Sequence, residues 1–323
     1  MTSGLIINPQ DLSKRWIDRM ADAGLDILGI HSEGGKEAYK FVEELDTLLD
    51  TDRYRELIDY AIQRKVKIEY ELHAAGYLVP RSMFLTHPEF FRMNSEGERV
   101  NDWNFCVTNP DALALCVKRA ARLASRLYGS EPTFYFWMDD GRDTHCSCEK
   151  CRKYSPSEQQ MIVVNAMLKE IRKSVPEAKM AYLAYFDSIV PPVKVKPEAG
   201  VFLEYAPFEK YTAVGEDAEK KKARERRMLE PLMETFSAEP PKVLEYWFDN
   251  SIFSGRVRPP KKFTLDEDAM RADVKKYAEL GFDWLTSFAC YLGDDYHELY
   301  GDFDISSYAD AISKSERFFR KAH

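Results

Sequence analysis

The chain of 323 residues contains no run of 18 apolar residues, so no segment of it reads as spanning a membrane. It also lacks an excess of Lys and Arg. With 46 basic against 54 acidic residues the net charge is −8, too little positive charge to grip a phosphate backbone, and nucleic acid is not an expected partner. The opening Met1-Thr2-Ser3-Gly4-Leu5-Ile6-Ile7-Asn8-Pro9 has no basic stretch and no long apolar one, hence no visible secretory signal. The chain as written is therefore expected in the cytoplasm, with export left open if it is a trimmed piece. Six cysteines are too few for a disulfide framework at this length and are expected as reduced thiols. No Gly-x-Gly-x-x-Gly follows the first strand candidate, no Gly-x-Ser-x-Gly elbow occurs, and the first strand carries no His. Dinucleotide-binding, serine-hydrolase and amidohydrolase chemistry are disfavoured in turn. Gly34-Gly35-Lys36 lacks the spacing of a phosphate-binding loop and reads as a plain loop.

What is present is ordinary globular composition, 45% hydrophobic and 31% charged, with an unusual 13% of aromatics. Short apolar runs alternate with amphipathic helical patterns along the whole length, as βα units on a parallel sheet would. Strand candidates fall at 4–8, 25–31, 66–73, 133–139, 179–185, 200–205, 242–248 and 282–288. Helices are expected near 11–23, 51–64, 111–128, 157–174, 217–236, 266–280 and 305–320. Asn109-Pro110-Asp111 supplies a capping side chain, a proline at the first helical position and an acid in the first turn. The expected fold is α/β, a (β/α)8 TIM barrel formed by a single domain over residues 1–323. An open doubly wound sheet is second.

In a barrel, strand parity divides side chains between the helix layer and the axis. Taking the most aliphatic set of each strand as facing the helices turns Lys67, Glu69, Glu71 and His73 inward, as well as Tyr135, Trp137 and Asp139, Glu204, and Glu245 with Trp247. Asp140 follows just beyond its strand. Carboxylates from four strands thus aim at the axis near the C-terminal ends, where barrel active sites lie, and an unpaired buried charge is too expensive to serve packing alone. The competing reading pairs them with Lys67, Arg81 or Arg142 in structural bridges. Tyr77, Trp103, Trp137, Tyr185, Tyr205, Trp247 and Tyr291 fall near strand ends or in the following loops. Flat aromatic faces pack on sugar rings and carboxylates bind hydroxyls and drive glycosidic cleavage, so the combination points to carbohydrate.

After the fourth strand comes Asp139-Asp140-Gly141-Arg142-Asp143-Thr144-His145-Cys146-Ser147-Cys148-Glu149-Lys150-Cys151. Cys146, Cys148 and Cys151 have soft-metal character, and Cys106 or His145 could complete a tetrahedral structural zinc site; packed thiols are the alternative.

This stretch, with Phe105-Cys106-Val107-Thr108-Asn109-Pro110 upstream and Asn165, Pro176, Ala184-Tyr185, Pro191-Pro192 and Tyr291…Tyr300-Gly301 downstream, resembles the domain formerly called domain of unknown function 4838. Some of its members are classed as glycoside hydrolase family 163. The likeness runs from about Trp103 to Gly301. It implies a (β/α)8 catalytic domain, no required cofactor, and an endo-β-N-acetylglucosaminidase activity on N-glycans. By analogy with retaining barrel glycosidases, Asp139 or Asp140 is expected as acid, Glu245 as nucleophile and Glu204 as a tuning neighbour. In a substrate-assisted variant Asp139 would orient an acetamide and Asp140 protonate the leaving group. Glu71, His73, Trp103, Trp137, Tyr185, Tyr205, Trp247 and Tyr291 are expected to bind substrate. A non-catalytic glycan-binding barrel is the alternative. The long segment 74–102 is expected to fold over the mouth and extend it into a cleft that cuts within a glycan.

Overall fold

A computed structural model describes residues 1–322, with side chains to 315. Eight parallel strands close into a barrel in sequence order. They are β1 (Thr2–Ile7), β2 (Ile27–His31), β3 (Lys67–His73), β4 (Thr133–Trp137), β5 (Lys179–Ala184), β6 (Val201–Tyr205), β7 (Lys242–Glu245) and β8 (Trp284–Phe288). The TIM barrel expected from the alternation of patterns is the fold observed. β1 pairs with both β2 and β8, which leaves no free edge.

Each expected helix is present, joined by α2 and several short helices that the sequence reading missed. In chain order the main ones are α1 (Lys14–Asp22), α2 (Ala38–Leu48), α3 (Asp52–Gln63), α4 (Pro110–Ala124), α5 (Pro156–Ile171), α6 (Ala218–Thr235), α7 (Glu267–Glu279) and α8 (Ser306–Ala322). Asn109 caps α4 by accepting from the Asp111 and Ala112 amides, with Pro110 at the first position. Ser155 and Glu158 form a reciprocal capping box on α5, fixing where the chain re-enters helix after the cysteine loop. No helix among the described residues is long and apolar enough to cross a membrane.

The core has two layers. One lies between strands and helices and includes Leu5, Ile30, Tyr70, Phe136, Leu203 and Val243. The other fills the barrel itself with Ile6, Tyr135, Trp137, Phe202, Leu244, Tyr246 and Phe288. Both faces of every strand are therefore buried, and apolar character alone cannot say which face points inward.

That ambiguity misassigns β7. The sequence reading placed Leu244 and Tyr246 on the helix side, whereas both lie inside the barrel, and Glu245 and Trp247 point the other way. The reason is Lys242, fully buried at the start of the strand. Its ammonium lies 3.1 Å from Glu69, 2.6 Å from Glu71 and 3.1 Å from Glu204, inside the barrel and over the ring of Tyr135 at 4.1 Å. With Lys242 fixed inward by three carboxylates, period-two alternation sends Leu244 and Tyr246 inward and Glu245 outward.

Candidate active site

The C-terminal mouth holds a cleft with roughly 760 Å³ of free space, open to solvent on one side. His31, His73, Trp137, Tyr185, Tyr246 and Phe288 build its floor and walls, and Glu33, Gly34, Asp249, Arg256 and Tyr291 come from the loops after β2, β7 and β8. Asp140 lies among them. Of the residues anticipated from the sequence, the mouth thus collects Asp140, His73, Trp137, Tyr185 and Tyr291.

Tyr185 donates a 2.7 Å hydrogen bond to Oδ1 of Asp140. Burial pushes the Asp140 carboxyl up, but the His73 imidazole, the Tyr185 hydroxyl and the Arg256 guanidinium outweigh it and hold the group below the usual carboxylate range. On its other side the loop after β2 comes so close that a Cβ on Gly34 would sit 2.5 Å from Oδ2. The glycine read as part of a plain loop is there because nothing larger fits beside this carboxylate.

Asp249 behaves in the opposite way. Burial raises its carboxyl to about 6 against the pull of the Ser251 hydroxyl and amide and of Arg256. Its Oδ1 accepts from the Ser251 amide at 3.0 Å, capping the short helix Asn250–Phe253. In mildly acidic solution, below about pH 6, these two acids on one cleft therefore stand in different protonation states. His31 is held neutral, its titration lowered to about 3 by burial and by His73. Its Nδ1 donates to the Glu71 carbonyl at 2.8 Å, which leaves Nε2 as an acceptor. His73 donates likewise from Nδ1 to the Met138 carbonyl at 2.6 Å.

The remaining anticipated residues lie elsewhere. Asp139, expected as acid or acetamide partner, does not reach the mouth; its carboxylate pairs with Arg81 at 2.8 Å and accepts from the Gly76 amide at 3.2 Å, so here the structural-bridge reading holds. The chain leaves the strand at Trp137, and alternation no longer governs Asp139. Glu245, expected as nucleophile, faces the helix layer, where it is fully buried and accepts from the hydroxyls of Tyr211 and Tyr277 at 2.6 Å each and from Lys210 at 3.2 Å. Trp247 shares that side and donates to Asp273 at 3.0 Å, and Tyr205 points out toward the Glu225 carbonyl. Glu71 and Glu204 lie beneath the floor on Lys242, where burial raises both carboxyls against its attraction. Glu204 also accepts from the Trp137 indole at 2.8 Å, and so anchors a wall of the cleft without lining it. Trp103 packs beside Gly141, outside the cleft.

Segment 74–102 does not cover the mouth as expected. It packs on the barrel's flank, where Arg81 meets Asp139 and Met93 donates its amide to Cys146 Sγ at 3.3 Å. The sequence reading missed His31, Glu33, Tyr246 and Asp249. For Asp249 a signal existed, since Asp-Asn-Ser after a strand is a helix-cap pattern at a strand's C-terminal end; the parity argument had drawn attention to Glu245 instead.

Cys106 joins Cys146, Cys148 and Cys151 in one buried group whose sulfurs all lie within 4.8 Å of one another. His145 is not among them; it sits with Asp143 and Asp187 nearer the surface.

Among solved structures the fold is similar to a β-galactosidase from the psychrophilic Marinomonas ef1, with a TM-score of 0.59 at 11% identity over 98% of this chain and 59% of that one. It is similar to a β-galactosidase from the Antarctic haloarchaeon Halorubrum lacusprofundi, with a TM-score of 0.56 at 16% identity over 98% and 58%. A structure described as a glycoside hydrolase matches with a TM-score of 0.55 at 12% identity over 97% of this chain and 99% of its own. The chain thus spans less than two thirds of the β-galactosidases it resembles. No curated protein matches it. A family model described as Domain of unknown function (DUF4838) matches residues 40–229, more than half of the chain, and the chain belongs to that family.

Proposed function

We propose that the protein is a retaining glycoside hydrolase, acting like family 163 members on β-linked glycans that contain N-acetylglucosamine, with Asp140 and Asp249 as its carboxylate pair. The observation that carries this reading is the split between two acids facing one aromatic cleft, one held ionised and the other raised to about 6. Environments that push two neighbouring titrations apart assign the acid and its partner. In this scheme Asp249 gives its proton to the leaving oxygen while Asp140 attacks the anomeric carbon. Water then opens the glycosyl ester and returns its proton to Asp249, and the configuration is retained. Trp137, Tyr246 and Phe288 offer ring faces to the sugar, and Nε2 of His31 accepts from a hydroxyl. That solved neighbours of the same fold are described as β-galactosidases and as a glycoside hydrolase supports the class, not the sugar. No cofactor enters this chemistry.

A screen of aryl β-glycosides and N-glycans tests the proposal. Asp140→Asn is expected to lower kcat by at least about 10³-fold with the fold retained. Oligosaccharide products from N-glycans support cleavage within the chain, and monosaccharides alone refute it. Glycan binding without any turnover would make the protein a binding barrel instead.

A further inference from the structure

The flank of the barrel beside the mouth carries a second constellation that the glycosidase reading does not use. Cys106, from the segment leading into α4, meets Cys146, Cys148 and Cys151 from the loop between β4 and α5, and all four are buried. Cys106 Sγ lies 3.7 Å from Cys148 Sγ and 3.8 Å from Cys151 Sγ. An ion bound by four thiolates at about 2.3 Å holds its sulfurs at a tetrahedral edge of about 3.8 Å. Disulfide sulfurs would instead sit about 2.05 Å apart. An iron–sulfur cluster, with its bridging sulfides, would hold the four cysteines further apart than this.

The surroundings suit thiolates. The Met93 amide donates to Cys146 Sγ at 3.3 Å, and the Thr108 hydroxyl lies 3.1 Å from Cys151 Sγ. Nη1 of Arg99 is 3.8 Å from Cys146 Sγ and brings a positive charge to the group. Gln159, buried on α5, shapes the loop: its side chain accepts from the Cys146 amide at 3.1 Å and donates to the carbonyls of Cys146 at 3.1 Å and Cys151 at 3.2 Å. Such outer partners are what orients metal-bound cysteines.

We propose that Cys106, Cys146, Cys148 and Cys151 bind one structural Zn²⁺ that pins the β4–α5 loop, and with it Asp140, to the segment before α4. Binding releases the four S–H protons to solvent and changes no oxidation state; the site goes from neutral to a net charge of −2, half of which Arg99 offsets. All four positions are occupied by sulfur, so no coordination site is left open for water, and the ion's role is to hold the loop.

The test uses the full chain purified anaerobically without added metal, and none of its readouts depends on glycosidase activity. Elemental analysis is expected to give about one zinc per chain, and native protein to expose no cluster thiol to a thiol reagent. Exchange for Co²⁺ should give the intense visible absorption of tetrahedral cobalt thiolate. Stripping the ion with a chelator should lower the melting midpoint by at least about 5 °C, restored by zinc sulfate. Cys148→Ser should weaken zinc retention at least tenfold; if that variant does not fold, the cobalt spectrum of the unaltered chain still decides. Metal-free protein with four reactive cluster thiols, cobalt bound only in octahedral form, or cluster cysteines found as disulfides would each overturn the proposal.

Discussion

Replacing Lys242 by Met removes the only cation among the described residues that touches Glu69, Glu71 and Glu204 inside the barrel, at 3.1, 2.6 and 3.1 Å. Methionine roughly fills the volume, so the perturbation is electrostatic. Burial pushes the Glu71 carboxyl well above the carboxylate range against the attraction of Lys242. Glu204 is the group that responds. Burial raises it, Lys242 is the leading attraction against that rise, and without the ammonium it must take up a proton in a dry interior. At pH 7 that protonation costs about 1.36 × (7 − 4.3), or about 3.7 kcal/mol, and at pH 5 about 1 kcal/mol. A carboxyl whose titration is higher in the folded than in the unfolded chain adds stability below about pH 4.3 and loses it as the pH rises through its folded value. Because Glu204 is already raised in the parent, these costs are upper bounds: the variant is expected to be up to about 4 kcal/mol less stable than the parent at pH 7 and up to about 1 kcal/mol less stable at pH 5, by urea unfolding at both. Adding Glu204→Gln should recover much of the loss at pH 7. A deficit that is the same at both pH values, or none at all, would refute the view that this lysine is held by charge rather than by packing.

The split acids predict a pH profile with an acid optimum. Asp140 must be ionised and Asp249 protonated, so kcat/KM should fall above about pH 6 and hold down to below the usual carboxylate range, and Asp249→Asn should abolish the upper limb. Gly34→Ala places a methyl 2.5 Å from Oδ2 of Asp140 and should lower kcat at least about tenfold while leaving the melting midpoint nearly unchanged; normal turnover would show that the carboxylate has room to move. Glu245→Gln breaks a buried charge's bonds to Lys210, Tyr211 and Tyr277 and should cost about 2 kcal/mol of stability, with kcat/KM within about threefold of the parent. An activity loss of several orders of magnitude would instead restore it as the nucleophile.

The barrel was legible because its signal is repeated: eight apolar runs separated by helical periodicity survive an error of a residue or two at any end, and a closed sheet in sequence order is the economical way to join them. The site was legible only where a strand carried a charge on one face and aliphatics on the other. In β3 the set Ile68, Tyr70 and Leu72 is so clearly a core face that Glu69, Glu71 and His73 had to point inward, and they do, whereas Lys67 at the start of the strand lies exposed beside Glu131. In β7 the two faces are Val243 with Glu245 and Leu244 with Tyr246, and a barrel that is apolar inside as well as outside gives neither set a preference. What decides is Lys242, whose partners lie 38 to 173 positions away in the chain, on β6 and β3, a relation that local patterning does not contain. The same gap hid the fate of the acids. Three of the carboxylates aimed at the axis surround one lysine below the floor, and those left to face the cleft, Glu33, Asp140 and Asp249, all stand past strand ends, where alternation has stopped and only the loop's own bonds set direction. The acids that face the cleft therefore sit where the periodic signal runs out, and that is why Asp249 was invisible to parity while Asp140 was found from its place just beyond the fourth strand.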